Sequence, residues 1–460
     1  MKRKLFILLL ATLICAQMMP SSNTSVNGIF YTFNDNNLNA TVTTSYSDDF
    51  GYSGDIVIPT TVTYGKKTYQ VTNISGDAFS SSSWKVSSRI ESLTIPPSIK
   101  WIGSGAFYGC TLKNLMVNDL IAWCSIVFES STSNPLSVAQ HFYINNEEIT
   151  DLIVPQVVIN IGDYAFSGYN GFLSIDIPNS VLKIGNHAFS NCRKLETVNI
   201  PESVIEIGAY AFRSCDSLSS IIVPNGVKKI GHGAFSSCES LSFIEIGENV
   251  DTICGQAFRR CSKLKSIELP QNAAYIGDSM FYGCTNLTFV NLPSHITSIG
   301  NHSFRDCSKM KNIIIPNSVT DIGQYAFFQC SQLGDIIIPD SVTIIGKYAF
   351  FGCDSICTIV IPSRVEIIGE YAFWLCSNLQ NVLIQNGVKS VKANAFLNCK
   401  KLSSIILPES IEELGNSAFQ NCEKLSSFVI PLNVKSLGSE IFKGCTKLKS
   451  ITWEAKECLS

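Results

Sequence analysis

Apolar residues return along this chain at fixed offsets inside a repeating unit of about 23 residues. One copy runs from Ile315 through Val319, Ile322, Gly323, Ala326, Phe327, Cys330 and Leu333 to Ile336. The phenylalanine marks thirteen successive units without insertion or deletion: Phe166, Phe189, Phe212, Phe235, Phe258, Phe281, Phe304, Phe327, Phe350, Phe373, Phe396, Phe419 and Phe442. A fixed period of this size, with several aliphatic positions per unit, predicts a repeat solenoid in which no coil buries its apolar face alone. Within a unit, Leu195, Val198 and Ile200 alternate as on a short strand with one buried face. Pro201 ends that strand because it offers no N–H. Val204 and Ile207 point a second pair inward, and Gly208 is expected to permit a strained turn. Ala211 and Phe212 pack the opposite wall in a short helical or 3-10 turn, and Cys215 closes the coil. The expected architecture is therefore a β-rich solenoid with one parallel strand sheet and short turns.

The motif Leu195-x-x-Val198-x-Ile200-Pro201-x-x-Val204-x-x-Ile207-Gly208-x-x-Ala211-Phe212-x-x-Cys215 resembles the BspA-type bacterial leucine-rich repeat. The resemblance spans residues 52–453 and implies a right-handed leucine-rich-repeat solenoid. It further implies a secreted or cell-surface binding protein, often an adhesin for host extracellular matrix or for another cell surface.

Along the chain, residues 1–16 read as a secretory signal peptide. They contain the basic start Lys2-Arg3-Lys4, an apolar run over residues 5–13, and the small Ala16 at the cut. The run is too short to span a bilayer. Cys15 raises a lipoprotein alternative, against which Ile14 occupies the place where a small residue is wanted. Removing the three positive charges takes the formal net charge from −3 to −6, which disfavours nucleic acid as a partner. Residues 17–71 read as an N-terminal cap of β-hairpins with a first partial coil, and residues 72–112 as two imperfect coils. Pro96 and Pro155 stand more than two periods apart, where one is expected. Residues 113–151 therefore read as one enlarged coil with a short helix, in which Trp123 and Pro135 match a segment that recurs in the family. A functional loop is the competing reading. Residues 152–453 form the thirteen-coil array, roughly 60 Å long at about 4.8 Å per coil. Residues 454–460 are a tail that, with Trp453, is expected to cover the last coil. No sorting motif or transmembrane span follows, so release or non-covalent retention is expected.

Eighteen cysteines in an exported chain ordinarily suggest a disulfide framework. Here Cys192 and its copies, one per unit through Cys445, share one phase, so their side chains run parallel rather than converge. They read as small buried thiols. The off-phase Cys124, Cys254, Cys357 and Cys458 are the candidates for a bridge or a reactive thiol. No compact Cys/His cluster, nucleophile elbow or phosphate-binding loop occurs, so no metal, cofactor or catalytic residue is expected. The five histidines, His141, His187, His232, His295 and His302, read as polar surface residues.

Binding by a repeat array uses its open face. The outward strand residue reads Asp176, Asn199, Ile222, Glu245, Glu268 and Asn291, and then Ile314, Ile337, Val360, Leu383, Ile406 and Val429. Six consecutive aliphatics mark an interaction stripe, or else a ladder of strand-stabilising residues. The pairs Tyr325/Phe328, Tyr348/Phe351 and Tyr371/Trp374 form a second ladder on the turn, with Tyr164, Tyr210 and Tyr282 as unpaired outliers. Such aromatics serve either as interface anchors or as a packing stack. Three functions compete: an adhesin-like module that binds a protein partner through residues 314–429, a self-associating envelope protein using the same stripe, and an enzyme built on the enlarged coil.

Overall fold

The computed structural model describes residues 23–44, 51–80 and 89–454, so the proposed signal peptide, Cys458 and residues 455–460 lie outside the described residues. The chain forms two compact units, Met1–Ile149 and Thr150–Ser460. In the first, Ile29–Asn34 pairs antiparallel with Asn39–Thr43, and Thr61–Tyr64 pairs antiparallel with Lys67–Ile74. Gly65, at φ +64°, supplies the left-handed residue that the second hairpin turn needs. The hairpin cap is therefore present. It passes into parallel coils because Lys67–Ile74 also pairs parallel with Trp101–Ile102, and that strand with Val127–Phe128. A separate sheet runs parallel through Ser53–Val57, Arg89–Ile95, Thr111–Val117 and Ala139–Ile144. The long coil contains the helix Leu120–Cys124, whose first turn is capped by Asp119 accepting from the Ala122 amide at 2.9 Å. Trp123 is buried, with its ring 5.4 Å from Phe128 and 5.9 Å from Phe142. The buried Asn134 accepts from the Leu136 amide at 2.9 Å.

In the second unit most coils carry two short strands, where the spacing pointed to one. The second, such as Glu206–Ile207 or Lys229–Ile230, is only two residues long but pairs almost without interruption. One ladder joins Asn160–Ile161 to Thr252–Ile253, and another joins Ser298–Ile299 to Ser436–Leu437. The longer first strand pairs in groups of two or three, for example Thr358–Ile361, Asn381–Ile384 and Ser404–Ile406. Residues 312–315 and 335–338 join no ladder at all. Each of these segments runs into a proline, Pro316 or Pro339, as the paired Thr358–Ile361 runs into Pro362, so the proline alone does not open them. Asp335 partly replaces the missing main-chain bonds by accepting from the Cys357 and Thr358 amides at 2.7 and 2.9 Å. Burial raises its pKa, but the two amides outweigh that and hold the carboxyl below its usual range.

The Ala-Phe wall is held by a repeated turn. Tyr210 and Ser214 adopt left-handed φ values of 55° and 56°, and most other coils place non-glycine residues at the same two positions. This backbone costs roughly 1–2 kcal/mol per residue. It aims alternate amides at the following coil: Tyr210 N–H donates to His232 O, Phe212 to Ala234 O and Ser214 to Ser236 O, each at 2.8 Å. The positive φ therefore does not belong to the motif glycine. Gly208 is required by space instead, since a Cβ there would lie 2.6 Å from the Gly185 carbonyl carbon.

Inside this wall the phenylalanine rings form one column in the second unit, with centroids 5.2–6.2 Å apart and planes within 16° of parallel. Phe235 and Phe258 are direct neighbours at 6.1 Å. Beside them the in-phase thiols are free, and each donates to the phenylalanine carbonyl 26 residues earlier. The Phe189 carbonyl accepts the Cys192 amide in its own coil and the Cys215 thiol in the next. Cysteine therefore fills space and supplies a directed donor. Burial pushes the Cys192 and Cys284 thiols up to about 12, and does the same for off-phase Cys124. At the last described coil, Trp453 pairs beside Ile430 and remains half exposed.

Phe350→Ala, in the middle of the column, should cost about 3–5 kcal/mol, read from denaturant unfolding. Alkylation of the native chain at pH 8 should modify the partly exposed Cys254 and Cys357 well before Cys192 or Cys284.

Candidate interaction surface

Strand alternation decides which side chains face outward. Ile313 and Ile315 are buried, while Ile314 between them is 82% exposed; Ile337 is 84% exposed between buried Ile336 and Ile338. Val360, Leu383, Ile406 and Val429 continue the row at 40–58% exposure. The structure thus brings all six predicted aliphatics into one exposed stripe, one residue per coil. Beside it runs a second outward column, Asn312, Asp335, Thr358, Asn381, Ser404 and Ser427, which is exposed and carries only one charge. Earlier coils place exposed Asp176, Glu245 and Glu268 in the stripe's own register.

The six predicted aromatics lie together on the turn wall, apart from the stripe. Rings stack from His302 to Tyr325 at 4.6 Å, to Tyr348 at 4.8 Å and to Tyr371 at 4.6 Å. Phe328 stacks on Phe351 at 4.3 Å, and Trp374 meets Phe351 edge-on at 4.8 Å. The Arg305 guanidinium lies 4.4 Å from the Phe328 centroid and 5.4 Å from that of Tyr282. Lys347 sits over Tyr348 and Tyr371 and pairs with Glu370 at 2.6 Å. These rings are half-buried, Phe351 fully so, and their faces are occupied by one another.

Two features escaped the sequence reading. His187 and His302 are not simply polar surface: His187 stacks between Tyr164 at 4.8 Å and Tyr210 at 4.9 Å, so those tyrosines belong to a column too. The register these side chains share, one per coil, was the available signal. Ile159, Leu182 and Ile205 form a shorter exposed aliphatic column beside the second ladder. On that same ladder, beside Leu182 and Ile205, the surface carries ion pairs, with Glu206 held by Lys183 at 3.1 Å and by Lys229 at 3.0 Å. The pairing with Lys229, chiefly, lowers the Glu206 pKa. In the enlarged coil the exposed His141 pairs with Glu148 at 2.6 Å. Among the described residues no cluster of His, Cys, Asp or Glu could hold a metal, and no helix is long and apolar enough to cross a membrane.

The model of the BspA type leucine rich repeat region matches residues 60–134, 136–265, 253–380 and 343–457. No curated protein matches the chain. Among solved structures it is similar to a leucine-rich repeat protein from Bacteroides ovatus ATCC 8483, with 25% identity, 94% of this chain and 88% of that one covered, and a TM-score of 0.49. It is also similar to a leucine rich cell surface protein from Faecalibacterium prausnitzii A2-165, with 25% identity, coverage of 95% and 96%, and a TM-score of 0.45.

Burial, and then nearby Arg213 or Arg305, lowers the pKa of His187 and His302 below the ordinary 6.5. The unfolded chain then takes up these protons more readily than the folded one. Their contribution to stability is present above pH 6.5 and is lost as pH falls through the lowered folded values. The denaturation midpoint should drop between pH 7.5 and 5, and a His187→Phe/His302→Phe variant, which keeps the stacks, should show a smaller drop.

Proposed function

The chain belongs to the BspA-type leucine-rich repeat family, and from that premise we propose that it is an exported, adhesin-like protein that holds a protein partner on the outward strand face of residues 314–429. Export through the signal peptide at 1–16 and display at the cell surface or release from it are part of this reading. So is a partner drawn from host extracellular matrix or from another cell surface.

The observation that carries the proposal is the exposed six-coil stripe. Strand stabilisation bears on only four of its members, Val360, Leu383, Ile406 and Val429, which lie in paired strands. Ile314 and Ile337, its two most exposed members, lie in segments that join no ladder, so β-propensity brings nothing there. The same register accommodates Asp176 and Glu245 in paired strands, so the position does not demand an apolar residue. Contiguous apolar surface on this scale marks an interaction site. Tyr325, Phe328, Tyr348, Phe351, Tyr371 and Trp374 contribute a stiff neighbouring wall, because their ring faces are already engaged.

The test is capture of matrix proteins and cell-surface extracts by the purified chain, compared with an Ile337→Lys/Val360→Lys variant. Both side chains are exposed, so folding stability should change by about 0.5 kcal/mol or less per site. Capture should fall at least tenfold, as judged by surface binding or pull-down. Equal capture by both chains would remove the stripe from the contact.

A further inference from the structure

We propose that the partner seated on this stripe is a second copy of the chain, docked face to face with the two arrays antiparallel. The proposal rests on the reading of the stripe as a contact surface and names its occupant.

Size is the first argument. From their exposed fractions, the six aliphatic side chains present on the order of 600 Å² of open apolar surface, at the upper end of the largest patch on a typical monomer. A standard interface buries roughly 800 Å² per partner, so the stripe and its flank, whose one charge is Asp335, are about what a stable pair requires. The flank allows such burial at low cost, because Asn312, Thr358, Asn381, Ser404 and Ser427 bring no ions into the contact.

Charge and relief choose the orientation. In a parallel face-to-face pair each coil would meet its own copy. With the axis of such a pair running down the stripe, Glu245 would face Glu245 and Glu268 would face Glu268, like charges opposed. With the two-fold axis lying along the strands between Val360 and Leu383, Asp335 faces Ser404 and the acidic coils fall outside the contact. The same axis sets prominent Ile314 and Ile337 opposite the lower Val429 and Ile406, with the shallow Val360 and Leu383 meeting at the centre. The same patch serves both copies, as an isologous contact requires.

Sedimentation equilibrium on the purified chain between about 1 and 100 μM should show a monomer–dimer equilibrium. Ile314→Glu and Val429→Lys, each with an unchanged thermal midpoint, should weaken it by about tenfold or more. An equimolar mixture of the two variants should recover the dimer, because the antiparallel pair sets Glu against Lys across the interface. Absence of rescue, with the native chain still dimeric, would overturn the orientation. A native chain that stays monomeric throughout would overturn the homophilic pairing. In that case, loss of matrix capture by Ile337→Lys/Val360→Lys would still uphold the stripe as the contact for a different protein.

Discussion

From Phe166 to Phe419 the phenylalanine amide donates to the carbonyl one coil ahead at the position usually held by alanine, Ala234 for Phe212 and Met280 for Phe258, while its ring lies on the next ring. The rest of the second unit depends on that double contact. Burying a phenylalanine contributes about 1.5–3 kcal/mol, and two left-handed residues per coil cost an amount of the same order. A single coil therefore gains almost nothing by forming alone, and stability accumulates only when neighbours supply both the ring and the carbonyl. The thiol bond ties the phenylalanine's own carbonyl to the next coil, so that ring, main chain and sulfur all report one register.

That register explains how the outer face can vary. The inward positions, the turn and the two-residue ladder are already sufficient to position a coil, so the longer strand is free to lose its pairing at residues 312–315 and 335–338. There the side chains stand farthest from the body, and there the stripe begins. The proposed interaction surface thus lies where local order is supplied from elsewhere in the coil. The aromatic columns on the turn wall strengthen that supply, since rings at 4.3–4.8 Å restrain one another.

Much of this was legible in the chain itself. The strict spacing of Phe166 through Phe442 implied the column, and alternation around Ile314 and Ile337 implied which side chains would emerge. The turn was not legible, because its left-handed positions are filled mostly by Tyr, His, Ser, Asn and Gln, with a glycine only in scattered coils such as Gly233 and Gly352. Gly208 was visible but its reason was not: the neighbour that forbids a Cβ, Gly185, lies one whole repeat back in the chain. The second ladder is too short for any periodicity to show. The interruption at residues 312–315 is hidden by three consecutive isoleucines, which look like the strongest strand in the array. The histidine stack needed the observation that His187 fills a register otherwise held by tyrosine.

The two sets of bonds that join the coils point in opposite senses. Gly208 N–H in the short ladder donates back to Ile184 O, whereas Phe212 N–H in the turn donates forward to Ala234 O. Their dipoles largely cancel within each coil, so the array does not build up the macrodipole that a lengthening helix does. Growth is consequently free of an electrical limit. Duplication or loss of one repeat block in the gene would leave both sets of bonds closed, and would change the reach of the molecule without redesigning any contact that holds it together.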